Sequence, residues 1–197
     1  MSRFYFSFLM LLSLLQVSCA LSPQQITIKP KIIVPVASYG RGQEINIRVE
    51  DKRVNNVIGM RGGVYGDTST IEISNDHKIE MAYAVANGLT RWGFKTQVNG
   101  EQSRSEKMEI SQFVLTLNTL SYLPDSNPAV GKVHITASVS IDVKQGGRSY
   151  RGTYEANGDM GYVTVPSESR NNKQINLVLN LALQKIFDDQ ALIKFLQ

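Results

Sequence analysis

The chain has 197 residues, with 21 Lys and Arg against 17 Asp and Glu, which gives a formal net charge of +4. The basic residues are spread along the chain among acidic ones, which indicates a solvated surface or at most an anionic lipid or cell-wall polymer as partner. The chain contains 1 cysteine, which excludes an intramolecular disulfide. We expect no cofactor.

The first 18 residues have the pattern of a secretory signal peptide. Arg3 gives a weakly basic start, and residues 4–15 (FYFSFLMLLSLL) form an apolar run. This run is shorter than the roughly 20 apolar residues that a transmembrane helix needs. We therefore predict export, which argues against a nucleic-acid partner, and removal of the signal leaves 197 − 18 = 179 residues, a length that fits one domain.

The only cysteine, Cys19, stands where the apolar run ends, and two processing outcomes compete. Cleavage between Ser18 and Cys19 leaves a cysteine to be acylated, whereas cleavage after Ala20 uses Ser18 and Ala20 as the small residues and discards it. Gln16 fits a lipoprotein signal poorly, because that position usually holds an aliphatic residue. We favour acylation, since a lone cysteine here has an obvious chemical use. Because Ala20 is not Asp, we expect the outer membrane of a diderm bacterium.

A short polar tether, residues 19–25, should join this anchor to one domain that spans residues 26–197. The start of the domain is predicted to be extended, with apolar residues at even spacing: Ile26, Ile28, Ile32 and Val34. Pro30 and Pro35 would restrict this segment to the edge of a sheet, because proline cannot donate to a strand ladder.

Later segments alternate apolar and polar residues at strand spacing. They are residues 45–49, 109–123 and 133–143, followed by a hairpin turn at 144–148 and a returning antiparallel strand. Residues 55–67 contain four glycines and are interpreted as a loop or irregular hairpin.

Two segments have helical periodicity. Residues 76–92 form the first predicted helix, with Asn75 as its cap, and residues 168–187 form the second. A short helix should follow to the C-terminus. Because strands and helices segregate along the chain, we predict an α+β fold with a mainly antiparallel sheet and two principal helices packed on one face.

Several stretches together resemble the YajG family of bacterial lipoproteins. They are the signal with Cys19, then NNVIGMRGG, GLTRWGF, YRGTYEANG and the tail NLVLNLALQKIFDDQALIKFLQ. The resemblance covers nearly the whole mature chain but rests on spacing and pattern, without a catalytic motif. It implies a lipid-anchored envelope protein of uncharacterised activity, with a hint of cell-wall metabolism.

Residues that could carry chemistry are few. His134 on a polar strand face and His77 in the first turn of a helix are both interpreted as exposed, and two histidines cannot supply the ligands of a zinc site alone. A triad could be drawn from Ser138 or Ser140 with His134 and Asp142, but no nucleophile turn or oxyanion donors accompany it. We therefore predict no catalytic residues and no metal site.

Two other groups deserve a chemical interpretation. Asp188 and Asp189 could act as an acid and base pair, but their position between two helices favours capping. Tyr150, Arg151 and Tyr154 could form a stacking surface for sugars, although at strand spacing cross-strand packing is the commoner role of tyrosines. These three residues are the candidate binding surface.

Three functions remain open. The first is a non-enzymatic outer-membrane lipoprotein that binds an envelope protein or peptidoglycan. The second is a cell-wall hydrolase, which needs carboxylates or a histidine lining one cleft. The third is a periplasmic carrier, which needs an apolar cavity between sheet and helices.

Overall fold

The computed structural model describes residues 22–61, 69–98, 110–125 and 131–197. The predicted signal peptide and Cys19 lie outside these ranges. The described residues form eight strands and three helices, which are, in chain order, β1 (Gln24–Ile26), β2 (Glu44–Asp51), β3 (Val57–Arg61), β4 (Ser69–Ile73), α1 (His77–Arg91), β5 (Lys95–Val98), β6 (Ser111–Pro124), β7 (Gly131–Gln145), β8 (Arg148–Tyr162), α2 (Glu168–Asp188) and α3 (Gln190–Leu196).

The strands form one mixed sheet, so the prediction of a mainly antiparallel sheet is wrong. β6, β7 and β8 pair antiparallel along almost their whole lengths. The other edge of β6 pairs in parallel, first with β2 and further along with β3. β2 pairs in parallel with β5, and β1 with β4. Alternating residues reveal which face of a strand is buried but not the direction of its neighbour, so the sequence pattern could not show these parallel pairs.

Both long helices cover the same face of the sheet. Apolar residues of β2, β6 and β7 that share this face are fully buried, for example Ile47, Phe113 and Val143, which lie side by side in the register. α1 packs against β2 and β5, and α2 packs against β7 and β8. The opposite face of β2, β6, β7 and β8 is polar.

The two predicted helices are present nearly at their predicted bounds. α1 begins after Asp76, whose carboxylate accepts from the N–H of Ile79. The prediction of Asn75 as the cap is therefore wrong, because Asn75 instead binds both the N–H and the C=O of Ile28. α2 ends at Asp189, whose carboxylate caps α3 by accepting from the N–H groups of Ala191 and Leu192, so the predicted capping role in this Asp pair is confirmed.

Gln24 and Gln25 belong to β1, so they form a strand rather than the end of the predicted tether. Beyond β1 the chain stays extended but pairs with no strand. We call residues 27–36 the strap. It lies along α2 and turns its apolar residues Ile28 and Val34 into the core. Its far part reaches α1, where Arg91 donates to the C=O of Val34 and the N–H of Ala37 donates to the C=O of Arg91.

Side-chain oxygens of α2 hold the strap where a neighbouring strand normally would. We call Asn172, Asn176, Asn180 and Gln184 the amide ladder. The N–H groups that donate to its oxygens are Thr27 to Asn172, Lys29 to Asn176, Lys31 to Asn180 and Ile33 to Gln184, at 3.0, 2.7, 2.9 and 3.0 Å. One turn earlier, the N–H of Gln25 donates to Glu168 at 3.1 Å. The ladder thus satisfies backbone groups that would otherwise lack a partner.

Candidate functional site

The polar face of the sheet lies opposite α1 and α2, and we call it the open face. Its side chains come from alternate positions of β2, β6, β7 and β8. The register places Arg48, Val114, Asp142 and Arg151 in one row across the four strands. The neighbouring row contains Glu50, Thr116, Ser140 and Thr153. Together these rows line an open depression of about 500 Å³.

Two ion pairs and two lysines set the charge of this depression. Arg48 binds Glu50 at 2.6 Å, and Arg151 binds Asp142 at 2.7 Å. Lys52 and Lys144 line the same depression, and neither forms an ion pair with another described residue. The lining therefore contains four cations against two carboxylates. Such a mixed pattern with a cationic excess suits a partner whose own surface is partly acidic.

The predicted binding surface of Tyr150, Arg151 and Tyr154 is not assembled. Arg151 lies on the open face, whereas the two tyrosines point to the helix side of β8. There both hydroxyls donate to one carboxylate oxygen of Asp189, at 2.5 and 2.7 Å. Tyr150 also packs against the ring of Phe195, with 5.7 Å between ring centroids. The period of two along a strand makes this division unavoidable, because neighbours in sequence face opposite ways.

The bonds at Asp189 change the ionisation of all three partners. Burial raises the pKa of Tyr154, and the hydrogen bond to the Asp189 carboxylate raises it further. The pKa of Tyr150 is raised by the same two causes. Burial works to raise the pKa of Asp189, but the bonds donated by both tyrosines and by the capped N–H groups outweigh it and hold that pKa below its ordinary 3.8. The cluster fixes α3 to β8.

The residues from which a Ser-His-Asp triad could be drawn each bind another partner. His134 contacts Asp159 at 2.5 Å, and Asp159 also binds Lys132. Ser138 donates to Glu155 at 3.4 Å. Ser140 donates to Asn118 at 3.3 Å, and Asp142 is held by Arg151. The structure therefore does not bring His134 to either serine. Within the described ranges, no group of three His, Cys, Asp or Glu side chains could hold a metal ion.

A buried cluster at the start of α1 was missed in the sequence. His77 is 7% exposed, so its prediction as an exposed residue is wrong. Its Nε2 lies 2.6 Å from Asp51, which also accepts two bonds from the guanidinium of Arg53 at 2.7 and 3.0 Å. The only sequence signal is the Asp-x-Arg spacing after a strand, which allows a local ion pair. The cluster joins the end of β2 to the first turn of α1.

The ionisation of Asp51 depends on this cluster. Burial works to raise the pKa of Asp51, but hydrogen bonds from Arg53 and His77 outweigh it and hold that pKa below its ordinary 3.8. A further nitrogen of Arg53, Nη1, is buried and has no hydrogen-bond partner in the part of the chain that the structure describes. The aspartate, arginine and histidine bind one another and are largely shielded from solvent, which is the arrangement of a structural ion cluster.

No helix of the described residues is long and apolar enough to cross a membrane. The predicted cleavage site at Ser18 and Cys19, and Cys19 as the acylated residue, lie in the part of the chain that the structure does not describe.

Comparison with known proteins gives a family but no activity. The chain is similar in fold to a DUF330 protein from Xanthomonas campestris, with 8% identity, a TM-score of 0.48, and coverage of 84% of this chain and 90% of that one. A protein described as a neuraminyllactose-binding hemagglutinin homolog from Helicobacter pylori is 11% identical, with a TM-score of 0.43 and coverage of 86% and 95%. Neither likeness carries a functional argument.

No curated protein matches the chain in sequence. The model of a family described as uncharacterized lipoprotein, Lipoprotein_16, matches residues 30–197. That range includes every strand from β2 onward, all three helices and most of the strap. The lipoprotein family that the sequence predicts is thus confirmed, and the chain belongs to this family of uncharacterized lipoproteins.

Proposed function

We propose that this protein is a non-enzymatic binding module of the cell envelope, held on the outer membrane by an acylated Cys19, and that its open face binds the partner. The observation that carries the proposal is the division of the sheet into two faces. One face is covered by α1, α2 and the strap, and the other presents charged and hydroxyl side chains to solvent around a depression of about 500 Å³.

The composition of the open face supports a partner with charge of its own. Lys52 directly follows the end of β2, where its N–H donates to the C=O of Leu117, whereas Lys144 lies in β7 opposite Gln112, so the two lysines mark two separate points of contact. The paired carboxylates Glu50 and Asp142 lie between them. A uniformly anionic polymer could match the two lysines but would offer nothing to the acids between them, whereas a protein surface can place acids opposite the lysines and donors opposite the acids. An envelope protein is therefore the favoured partner, ahead of peptidoglycan.

The other two functions have less support. A hydrolase needs a free carboxylate pair or histidine in a cleft, but Glu50 and Asp142 are each held by an arginine. A carrier needs space between helices and sheet. At that place Trp92 packs edge to face between Tyr39 and Phe187, with centroid distances of 5.3 and 5.0 Å.

The anchor is tested by mass spectrometry of the mature N-terminal peptide, with protein purified from membranes of a diderm host. A triacylated Cys19 is expected. A chain that begins at Leu21 would remove the anchor and leave a free periplasmic protein.

The binding face is tested by charge reversal. We expect the wild-type protein to form a high-mass complex after crosslinking in intact cells, and the Lys52→Glu, Lys144→Glu double variant to lose it. A Lys31→Glu, Lys173→Glu variant makes the same charge change on the helix side and should keep the complex. Equal loss in both double variants would assign the effect to net charge and refute the open face as the binding surface. Sedimentation with purified sacculi then decides whether peptidoglycan is a second ligand.

A further inference from the structure

The chain enters the domain at one defined end of the molecule. Gln24 is buried, donates to the C=O of Pro166 at 3.2 Å, and accepts from the side chain of Asn171 at 2.7 Å. Asn171 in turn accepts from the hydroxyl of Tyr122 at 3.1 Å. Burial of Gln24, Asn171 and Tyr122 makes this polar chain costly to break. The point where the N-terminal segment leaves the domain is therefore fixed.

Exposed apolar side chains cluster at this same end. Val163 lies in the loop between β8 and α2, only three residues before Pro166, and is fully exposed. The parallel register of Gly59 with Tyr122 makes Met60 a neighbour of Leu123. Met60 and Leu123 are 46% and 59% exposed. β4 pairs with both β1 and β3, so β1 and β3 lie two strand spacings, about 10 Å, apart. We call Met60, Leu123, Val163 and Arg170 the anchor end.

A cation stands beside the exposed valine. Arg170, in the first turn of α2, donates to the C=O of Gly161 at 2.9 Å. Among the described residues it has no carboxylate partner, so its guanidinium keeps donors for an anion. An apolar side chain next to an arginine is the combination that suits the boundary between acyl chains and phosphates.

The reach of the anchor limits how far this end can lie from the bilayer. Gln24 follows Cys19 by five positions, and five extended residues span at most about 18 Å. We propose that the anchor end rests on the phospholipid surface, with Val163, Met60 and Leu123 in the headgroup layer and Arg170 on a phosphate. This inference rests on the proposed acylation of Cys19.

The test uses the full-length acylated chain in vesicles of phosphatidylethanolamine and phosphatidylglycerol, with and without bromine on the acyl chains. Val163→Trp places a reporter at the anchor end. Val36→Trp is the matched control, because Val36 is also an exposed valine, at 78%, but lies beyond the last rung of the amide ladder. The length of α2 from Glu168 to Gln184 sets about 24 Å between them. Buried Trp92 is the only native tryptophan and gives the background emission.

We expect bromine to remove most of the added emission of Val163→Trp and none of that of Val36→Trp. If neither reporter is quenched while the protein floats with the vesicles, the anchor stands and the inference is wrong. Equal quenching of both would also overturn it, since the domain would then lie on its side. If the protein does not float with the vesicles, the proposed lipid anchor is wrong, and the inference that rests on it is wrong as well. Leu123→Trp gives a second reporter, which keeps the test decisive if the loop variant does not fold.

Discussion

Replacing Asn176 by alanine tests whether the amide ladder holds the strap. The Asn176 oxygen accepts from the N–H of Lys29 at 2.7 Å, and its nitrogen donates to the C=O of Thr27 at 2.9 Å. Asn176 thus binds the strap in both directions, as Gln184 does at the end of the ladder. Alanine removes both bonds and leaves the helix backbone unchanged. Lys173→Ala, on the exposed side of the same helix, is the control, because it removes a side chain that makes no bond to the strap.

The expected loss of stability in Asn176→Ala follows from the two lost hydrogen bonds and the change in helix propensity. Each bond contributes about 1 kcal/mol net, so both contribute about 2 kcal/mol. Alanine is favoured over asparagine inside a helix by roughly 0.5 kcal/mol, which offsets part of the loss. We expect Asn176→Ala to lower the free energy of unfolding by about 1.5 kcal/mol, a fall in Tm of about 3 to 6 °C for a chain of this size. Lys173→Ala should change it by less than about 0.5 kcal/mol.

Urea denaturation gives the global value, and amide hydrogen exchange gives the location. Within the described ranges the N–H of Lys29 has no partner except Asn176, so its protection reports that single contact. Asn176→Ala should speed its exchange at least about tenfold, since 1.4 kcal/mol corresponds to a factor of ten. The N–H of Ala37, which donates to a backbone carbonyl, should keep its rate. Unchanged protection of Lys29 in the variant would refute the ladder as the support of the strap.

Three further predictions concern buried groups. Burial raises the pKa of Tyr122 from 10.0 to about 12, so about 3 kcal/mol of stability, present below pH 10, should be lost between pH 10 and 12 in urea melts. Tyr122→Phe should remove that loss and cost about 1 to 3 kcal/mol at pH 7 by orphaning the Asn171 oxygen. Because the pKa of folded Asp51 is depressed below 3.8, Asp51→Asn should destabilise at pH 7 but lose this effect as pH falls below about 4. Gly88→Ala would place a Cβ 2.4 Å from Phe187 Cζ, so calorimetry should show a lower Tm despite the helix propensity gained.

The sequence predicts which face of each strand or helix is buried more clearly than it predicts which strands pair. The alternation at residues 45–49, 109–123 and 133–143 correctly identifies strands, and the two helices lie where their periodicity places them. Those patterns depend on local geometry. The parallel pairing of β2 with β6 depends instead on the path that the chain takes through the strap and α1. Alternation of apolar and polar residues along a strand does not predict that path. β4 escaped notice because Ser69–Ile73 is short and follows a glycine-rich stretch.

The candidate site was harder to predict because its residues come together only through the register. Arg48 and Arg151 are about 100 positions apart in sequence, and they share a row because β6 and β7 lie between them. Tyr150 and Tyr154 belong to the binding surface that the sequence predicts, yet both face α3 and bind its cap, Asp189. A tyrosine at strand spacing reveals its face only when the neighbouring helix is known.

The position of the strap has a signal in the sequence of α2, but it lies in the spacing of polar residues and not in that of apolar ones. Polar side chains recur every four residues along α2, as Glu168, Asn172, Asn176, Asn180 and Gln184. Four helical residues rise about 6.0 Å, and two extended residues advance about 6.2 to 6.6 Å, so the two spacings almost match and each rung meets the next outward N–H. Four residues also turn the helix by about 400°, so each rung is rotated about 40° from the last.

That rotation explains which amide occupies which rung. Over the four steps from Glu168 to Gln184 this row of polar side chains turns by about 160° around the helix, so its ends point away from a straight strap and its centre points at it. The three central residues of the row are asparagines, and Glu168 and Gln184 at its two ends have a side chain longer by one methylene. We therefore expect Gln184→Asn to lose both of its bonds to Ile33, which span 3.0 Å each, while Asn176→Gln should disturb the strap by excess length. Hydrogen exchange of the Ile33 and Lys29 N–H groups measures the two effects separately. An unchanged exchange rate at Ile33 in Gln184→Asn would show that the strap winds around the helix instead of running straight.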